Sequence, residues 1–112
     1  MRKGLSKPRF EAVFQGGKRV STRHFRLSAT FGEGRVGIAT SKKIGCHARR
    51  NWVKRRIRAI LLRLDDVLRT DLDYIFVASA TSVNAEWGEM GSEIDDALSR
   101  MNERWAAESE SS

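Results

Sequence analysis

The chain has 112 residues, of which 40% are hydrophobic and 31% charged, with a net charge of +7. That size suits one domain able to bury a core without staples. The lone Cys46 excludes an internal disulfide and fits a reducing cytoplasm, and no stretch approaches the ~20 apolar residues of a membrane span. No apolar run follows the basic N-terminus, so no secretory signal is expected. Charge is unevenly spread. Residues 1–63 hold 18 basic and 2 acidic residues, whereas residues 64–112 hold 3 basic and 12 acidic. Such a dipolar chain should present one basic side, which favours a polyanion over a small acidic substrate.

In chain order, residues 1–5 read as a mobile basic lead-in. Ser6 can cap a short helix with Pro8 in its first turn, where a missing N–H is harmless. Phe10, Val13 and Phe14 share one face of it, and Gly16-Gly17 stops it. Two readings stand for the two Phe: core packing, or an aromatic edge on which unpaired bases stack.

Over residues 19–31 the pattern switches to period two. Phe25, Leu27, Ala29 and Phe31 face a core, His24 falls mid-strand, and Arg26 and Ser28 lie on the polar side. Gly32-Glu33-Gly34 reads as a hairpin turn into a strand over 35–40. Gly37 and Ala39 leave a shallow trough on that strand's open side.

Gly45 then breaks the chain before a helix predicted at 47–69. Between Lys42 and Arg63 lie nine Lys or Arg and no Asp or Glu. Val53, Ile57, Ile60, Leu61, Leu64, Val67 and Leu68 recur at i, i+3, i+4 spacing and fill a sector roughly 120° wide. Asn51, Lys54, Arg55 and Arg58 group on the opposite side. A helix docked by its apolar face and self-repelling on the other makes sense when an anion meets it, and a phosphate backbone is the matching ligand.

Residues 74–78, YIFVA, read as a strand covered on both faces. Asn84 is placed to cap a last helix whose Trp87, Met90, Ile94, Ala97, Leu98, Met101 and Trp105 form a core stripe. Residues 1–105 form a single domain, and 106–112 are expected to be a disordered tail. The fold class is α+β: a small mixed sheet of about four strands with three helices in the order α-β-β-β-α-β-α. The long helix followed by a strand suggests a crossover back into the same sheet.

No catalytic constellation is legible. Cys46 and His47 are sequence neighbours, which rarely reach nucleophile–base geometry. One Cys and two His cannot supply the four ligands of a structural zinc site. Asp65-Asp66 and Asp95-Asp96 are adjacent helical residues pointing about 100° apart, as on a solvated face. No phosphate loop or dinucleotide fingerprint is present. On these residues the chain is a binding protein.

RVGIATSKKIG followed by RRNWVKRRIR resembles the bacterial ribonuclease P protein component. Arg35-Val36-Gly37, Ser41-Lys42-Lys43 and Gly45 match its strand and loop, and Arg50 and Asn51 match the start of its Arg-Asn-Arg helix. Lys54, Arg55, Arg56 and Arg58 match the basic continuation. Leu5, Lys7, Phe10, Val13, Phe14 and Gly17 fall in register with that family's first helix, as do Phe25 and Asp73-Tyr74 further on. The resemblance covers residues 5–105. Trp52 departs from it, standing where the second Arg of the motif is usual, and can stack on a base or on Arg56. Cys46 replaces a usual Asn, Ser79 stands where a basic residue is common, and Ser28 where an aromatic is frequent.

The resemblance implies a ribosomal protein S5 domain 2-like fold, similar to the fourth domain of elongation factor G. It carries a left-handed βαβ crossover, opposite to the general rule. It also implies the protein subunit of a ribonucleoprotein that removes the 5′ leader from precursor tRNA. There the catalytic RNA subunit, with Mg²⁺, carries out the hydrolysis and the protein lowers the Mg²⁺ requirement. Lys42, Lys43, Arg49, Arg50, Asn51, Lys54, Arg55 and Arg58 would face the catalytic RNA. Phe10, Phe14, Arg26 and Ser28 would line a groove for the leader, and no metal ligand is assigned. Two readings compete: a structural RNA-binding protein of ribosomal type without a role in tRNA processing, and a DNA module with its helix in the major groove.

Overall fold

A strand with apolar residues on both faces needs cover on both, and here it takes an inner position in the sheet. The computed structural model describes residues 4–110, with side chains through residue 106. Its elements are α1 (Lys7–Gly16), β1 (Lys18–Ser21), β2 (Phe25–Phe31), β3 (Val36–Thr40), α2 (His47–Arg63), β4 (Leu72–Ala78) and α3 (Trp87–Glu110). Short 3-10 helices, Lys42–Ile44 and Ala80–Asn84, precede α2 and α3. The sheet runs β1-β2-β4-β3, with β2 antiparallel to both neighbours and β3 parallel to β4. Helices and strands thus follow the expected α+β order, and α2 is the crossover that joins the parallel pair.

Two helices cover one face of the sheet. Phe25, Leu27, Ala29, Tyr74, Phe76 and Ala78 pack in one cluster with Val53, Ile57, Ile60 and Leu61 of α2 and Met90, Ile94, Leu98 and Met101 of α3. Each large side chain buried there stabilises the fold by about 1.5–3 kcal/mol. The face of α2 predicted to be apolar is the face that docks. On the other side of the sheet, Val13 of α1 and Ile75 of β4 are fully buried outside that cluster. Ser6 caps α1, its Oγ accepting from the N–H of Arg9 at 3.4 Å. A Cβ on Gly17 would sit 2.7 Å from the carbonyl oxygen of Ala29, so the end of α1 lies directly on β2.

Several expectations are corrected. Gly32-Glu33-Gly34 is not a hairpin turn, because β4 lies between β2 and β3. The link instead wraps the carboxylate of Asp73, which accepts from the N–H groups of Glu33 and Arg35 at 3.0 and 2.9 Å. The hairpin turn lies earlier, at residues 22–25, where the N–H of Thr22 donates to the carbonyl of Phe25 at 2.8 Å. His24 therefore sits in a turn rather than mid-strand. Phe31 is an exposed edge residue, its ring 4.5 Å from that of Trp105.

Helix α2 ends at Arg63 rather than at residue 69. The N–H of Leu64 bonds to the carbonyls of both Ile60 and Leu61, and turns through 64–68 carry Leu64, Val67 and Leu68 to the core. Asp65 and Asp66 would have met the negative end of the helix dipole, which disfavours continuation. Asn84 ends a 3-10 helix instead of capping α3. The predicted tail is helical through Glu110, in keeping with the helix preference of Ala and Glu. Residues 111–112, and residues 1–3 of the predicted lead-in, lie outside the described residues.

Candidate nucleic-acid interface

At φ 92°, Gly45 turns the chain into α2 in a conformation that favours a residue without Cβ. Cys46 occupies the cap position without a side-chain bond. Arg50 supplies a different anchor: its Nε and Nη2 donate to the Gly45 carbonyl at 3.1 and 2.8 Å. Among the predicted RNA-facing residues, Arg50 is thus already engaged in holding the helix start.

The others stand free. Lys42, Lys43, Arg49, Asn51, Arg55 and Arg58 are exposed and Lys54 is half-buried. Among the described residues none of these side chains has a carboxylate partner, and α2 itself contains no acidic residue. Like charges ~6 Å apart on a helix face repel by about 0.7 kcal/mol per pair even in bulk water. An approaching polyphosphate relieves that repulsion and releases its own condensed counterions. The opposite side of α2, buried through Val53, Ile57, Ile60 and Leu61, keeps the row of cations in place.

Trp52 is 43% exposed and stacks on Arg56, whose guanidinium carbon lies 4.4 Å from its ring centroid. This is one of the two contacts expected of it. Arg56 also lies 5.5 Å from the ring of Trp87 and donates to the Ala85 carbonyl at 3.0 Å, and Arg63 lies 5.6 Å from Trp87 on the same ladder. Trp87, expected in the core stripe of α3, is 38% exposed instead. A visible signal was that positions 52, 56 and 63 share one side of a helical wheel, flanking the cationic row.

Beside α1 the sheet is partly open. Phe10 and Phe14 are both half-buried, with ring centroids 5.1 Å apart. A Cβ on Gly37 would stand 2.9 Å from the Phe10 ring, so the small residue there seats the aromatic instead of leaving an empty trough. Strand register sets Arg26, Val77 and Ala39 in one row and Ser28, Ile75 and Gly37 in the next. Arg26 is exposed, but Ser28 is only 1% exposed. Its assignment to a ligand groove is corrected: a small polar residue on the sheet face beneath α1 is covered instead of open. The structure thus joins Phe10 with Phe14, leaves Arg26 accessible a row away, and removes Ser28.

Two carboxylates are held below the usual range. Burial pushes the Asp73 carboxyl up, but bonds from the Arg35 N–H, the Arg9 guanidinium and the Glu33 N–H outweigh it. The Arg69 guanidinium, bonded to Asp71, lowers that carboxyl against a smaller effect of burial. Neither lies on α2. Among the described residues no helix is long and apolar enough to cross a membrane.

The model of the Ribonuclease P family matches residues 4–102. A ribonuclease P protein component of Limosilactobacillus reuteri is 41% identical over 66 residues, covering 59% of this chain and 56% of that protein. The matched segment thus spans little more than half of that relative's length. One from Shouchella clausii is 32% identical over 95 residues, covering 81% of this chain and 78% of its own. The fold is similar to that of the Staphylococcus aureus RNase P protein, with a TM-score of 0.78 at 21% identity over 88% of this chain and 94% of that one. With a family match over nearly all of its length, the chain belongs to the Ribonuclease P family.

Proposed function

We propose that this chain is the protein subunit of the ribonucleoprotein ribonuclease P, which removes the 5′ leader from precursor tRNA by endonucleolytic cleavage in the cytoplasm. The observation that carries the reading is the row of exposed cations on the rigidly docked α2, which contains no acidic residue and whose cations have no carboxylate partner among the described residues. Lys42, Lys43, Arg49, Lys54, Arg55 and Arg58 neutralise the backbone of the catalytic RNA subunit, and Asn51 adds a neutral hydrogen-bonding group. Arg50 acts chiefly by fixing the start of the helix. Phe10, Phe14 and Arg26 receive the single-stranded leader, the rings offering stacking surfaces and the guanidinium a phosphate contact.

Mg²⁺ ions do not fit this surface: α2 offers them no carboxylate, and its field repels cations. The RNA subunit would hold them, and they would supply Lewis-acid chemistry there, outside this chain. The protein's part is to hold two polyanions together, which lowers the Mg²⁺ needed for charge screening.

An equilibrium binding experiment tests this. At matched salt the chain should bind ribonuclease P RNA at least about tenfold more tightly than a folded ribosomal RNA fragment of equal length. Equal affinity for both would instead mark a general RNA-binding protein.

A further inference from the structure

His24, Glu89 and Glu93 play no part in the RNA-binding reading, yet the fold brings them together from the β1–β2 turn and the first turns of α3. Their ligand atoms lie within 4.8 Å of one another. His24 is 6% exposed, and its Nδ1 lies 2.8 Å from Thr81 Oγ1, itself 2.9 Å from Ser79 Oγ. This fixes the ring so that Nε2 faces two carboxylates, 3.1 Å from Glu89 Oε1 and 3.8 Å from Glu93 Oε2. Glu93 Oε1 accepts from the His24 N–H at 2.9 Å, which pins the carboxylate in place. Its other oxygen, Oε2, is buried without a hydrogen-bond partner. A buried carboxylate oxygen without a donor is costly and marks a partner still to be supplied.

We propose that His24 Nε2, Glu89 Oε1 and Glu93 Oε2 bind one divalent transition-metal ion of the Zn²⁺ class. Tetrahedral bonds of about 2.0–2.2 Å hold ligand atoms roughly 3.3–3.5 Å apart, and the two distances from Nε2 bracket that spacing. Water completes the set from the adjoining cleft, which Thr22, Ser92 and Asp96 also line. Thr81 holds the second ring nitrogen, the usual way in which a ligating imidazole is oriented. An imidazole among the ligands favours transition ions over Mg²⁺, so the site differs in kind from the RNA-held ions. Arg23 approaches Glu89 at 3.5 Å from the exposed side and offsets part of the negative charge; Arg100 is paired with Asp96. The bound ion ties the β1–β2 turn to α3.

The full chain, stripped of metal and RNA, is titrated with Zn²⁺ by calorimetry and with Co²⁺ by visible absorption. One ion per chain is expected, with d–d bands of a tetrahedral nitrogen–oxygen site. His24→Gln and Glu89→Gln should each weaken binding by about 100-fold or more, and Thr81→Val by about tenfold. Glu89 is partly exposed, so its variant keeps the fold, and circular dichroism verifies this. Zn²⁺ should raise the Tm of the unaltered chain and of Cys46→Ser, but not that of Glu89→Gln. No saturable binding up to about 100 μM Zn²⁺ would overturn the proposal. Binding of equal strength in both ligand variants, or its loss in Cys46→Ser alone, would overturn it equally.

Discussion

Arg9 and Asp73 stand 64 residues apart in sequence and meet with Nε 2.7 Å from Oδ2. Asp73 is 1% exposed, and Arg9 reaches further to donate to the Phe31 carbonyl at 2.5 Å. Two side-chain contacts thus fasten α1 to β4 and to the end of β2. A Cβ on Gly32 would overlap the same carboxylate, so the loop closes over it only with glycine there.

Asp73→Asn should destabilise the fold by about 2–3 kcal/mol, because Arg9 loses its partner and two N–H groups lose a charged acceptor. The lowered Asp73 carboxyl also sets the sign of an acid effect. Its contribution is fully present above the unfolded value of about 3.9 and is lost as pH falls through the lower folded value. Urea unfolding between pH 6 and pH 2 measures both effects. Equal acid sensitivity in the variant would mean that Asp73 is not the group responsible.

Arg55→Ala with Arg58→Ala should weaken assembly with the catalytic RNA while leaving Tm within a few degrees, because both side chains are exposed. Each lost phosphate contact should lower the log–log salt slope by about 0.7–0.9. A gel-shift titration over several salt concentrations reads this. Unchanged affinity and slope would move the RNA-facing surface elsewhere.

Trp52→Arg places a guanidinium at the position where the family motif usually has one. The salt slope should steepen by about 0.7–0.9 and stability should fall by about 0.5–1 kcal/mol as the ring leaves Arg56. An unchanged slope would show that position 52 faces away from phosphate.

Phe14→Ala tests whether a half-buried ring serves more than packing. Affinity for precursor tRNA with a long leader should drop by about tenfold, the equivalent of one stacked base, with leaderless tRNA unaffected. Equal loss for both would assign Phe14 to the core.

Where side chains repeat at helical or strand spacing, the sequence was legible. The apolar face of α2 and the stripe of α3 from Met90 to Trp105 are buried as expected, because periodicity determines which side faces the sheet; Trp87, at the start of that stripe, is exposed instead. YIFVA, an unbroken apolar run, announces an inner strand because both of its faces need cover. Which strand neighbours which was not legible: β4 parts β2 from β3, and no local pattern encodes that pairing. Ser28 looked like an open polar position because nothing nearby in sequence reveals that α1 folds over it. His24 with Glu89 and Glu93 was invisible for a further reason. The cluster joins one His to two carboxylates from a helix more than 60 residues away, and no local spacing links them.

The most direct test of the account is precursor-tRNA cleavage at low Mg²⁺ with the cognate catalytic RNA alone, the purified chain alone, and the two together. The account predicts efficient 5′-leader removal only with both present, saturating at a fixed protein-to-RNA ratio, and no cleavage by the chain alone. Leader removal by the RNA-free polypeptide, or no gain when it joins the RNA, would contradict it.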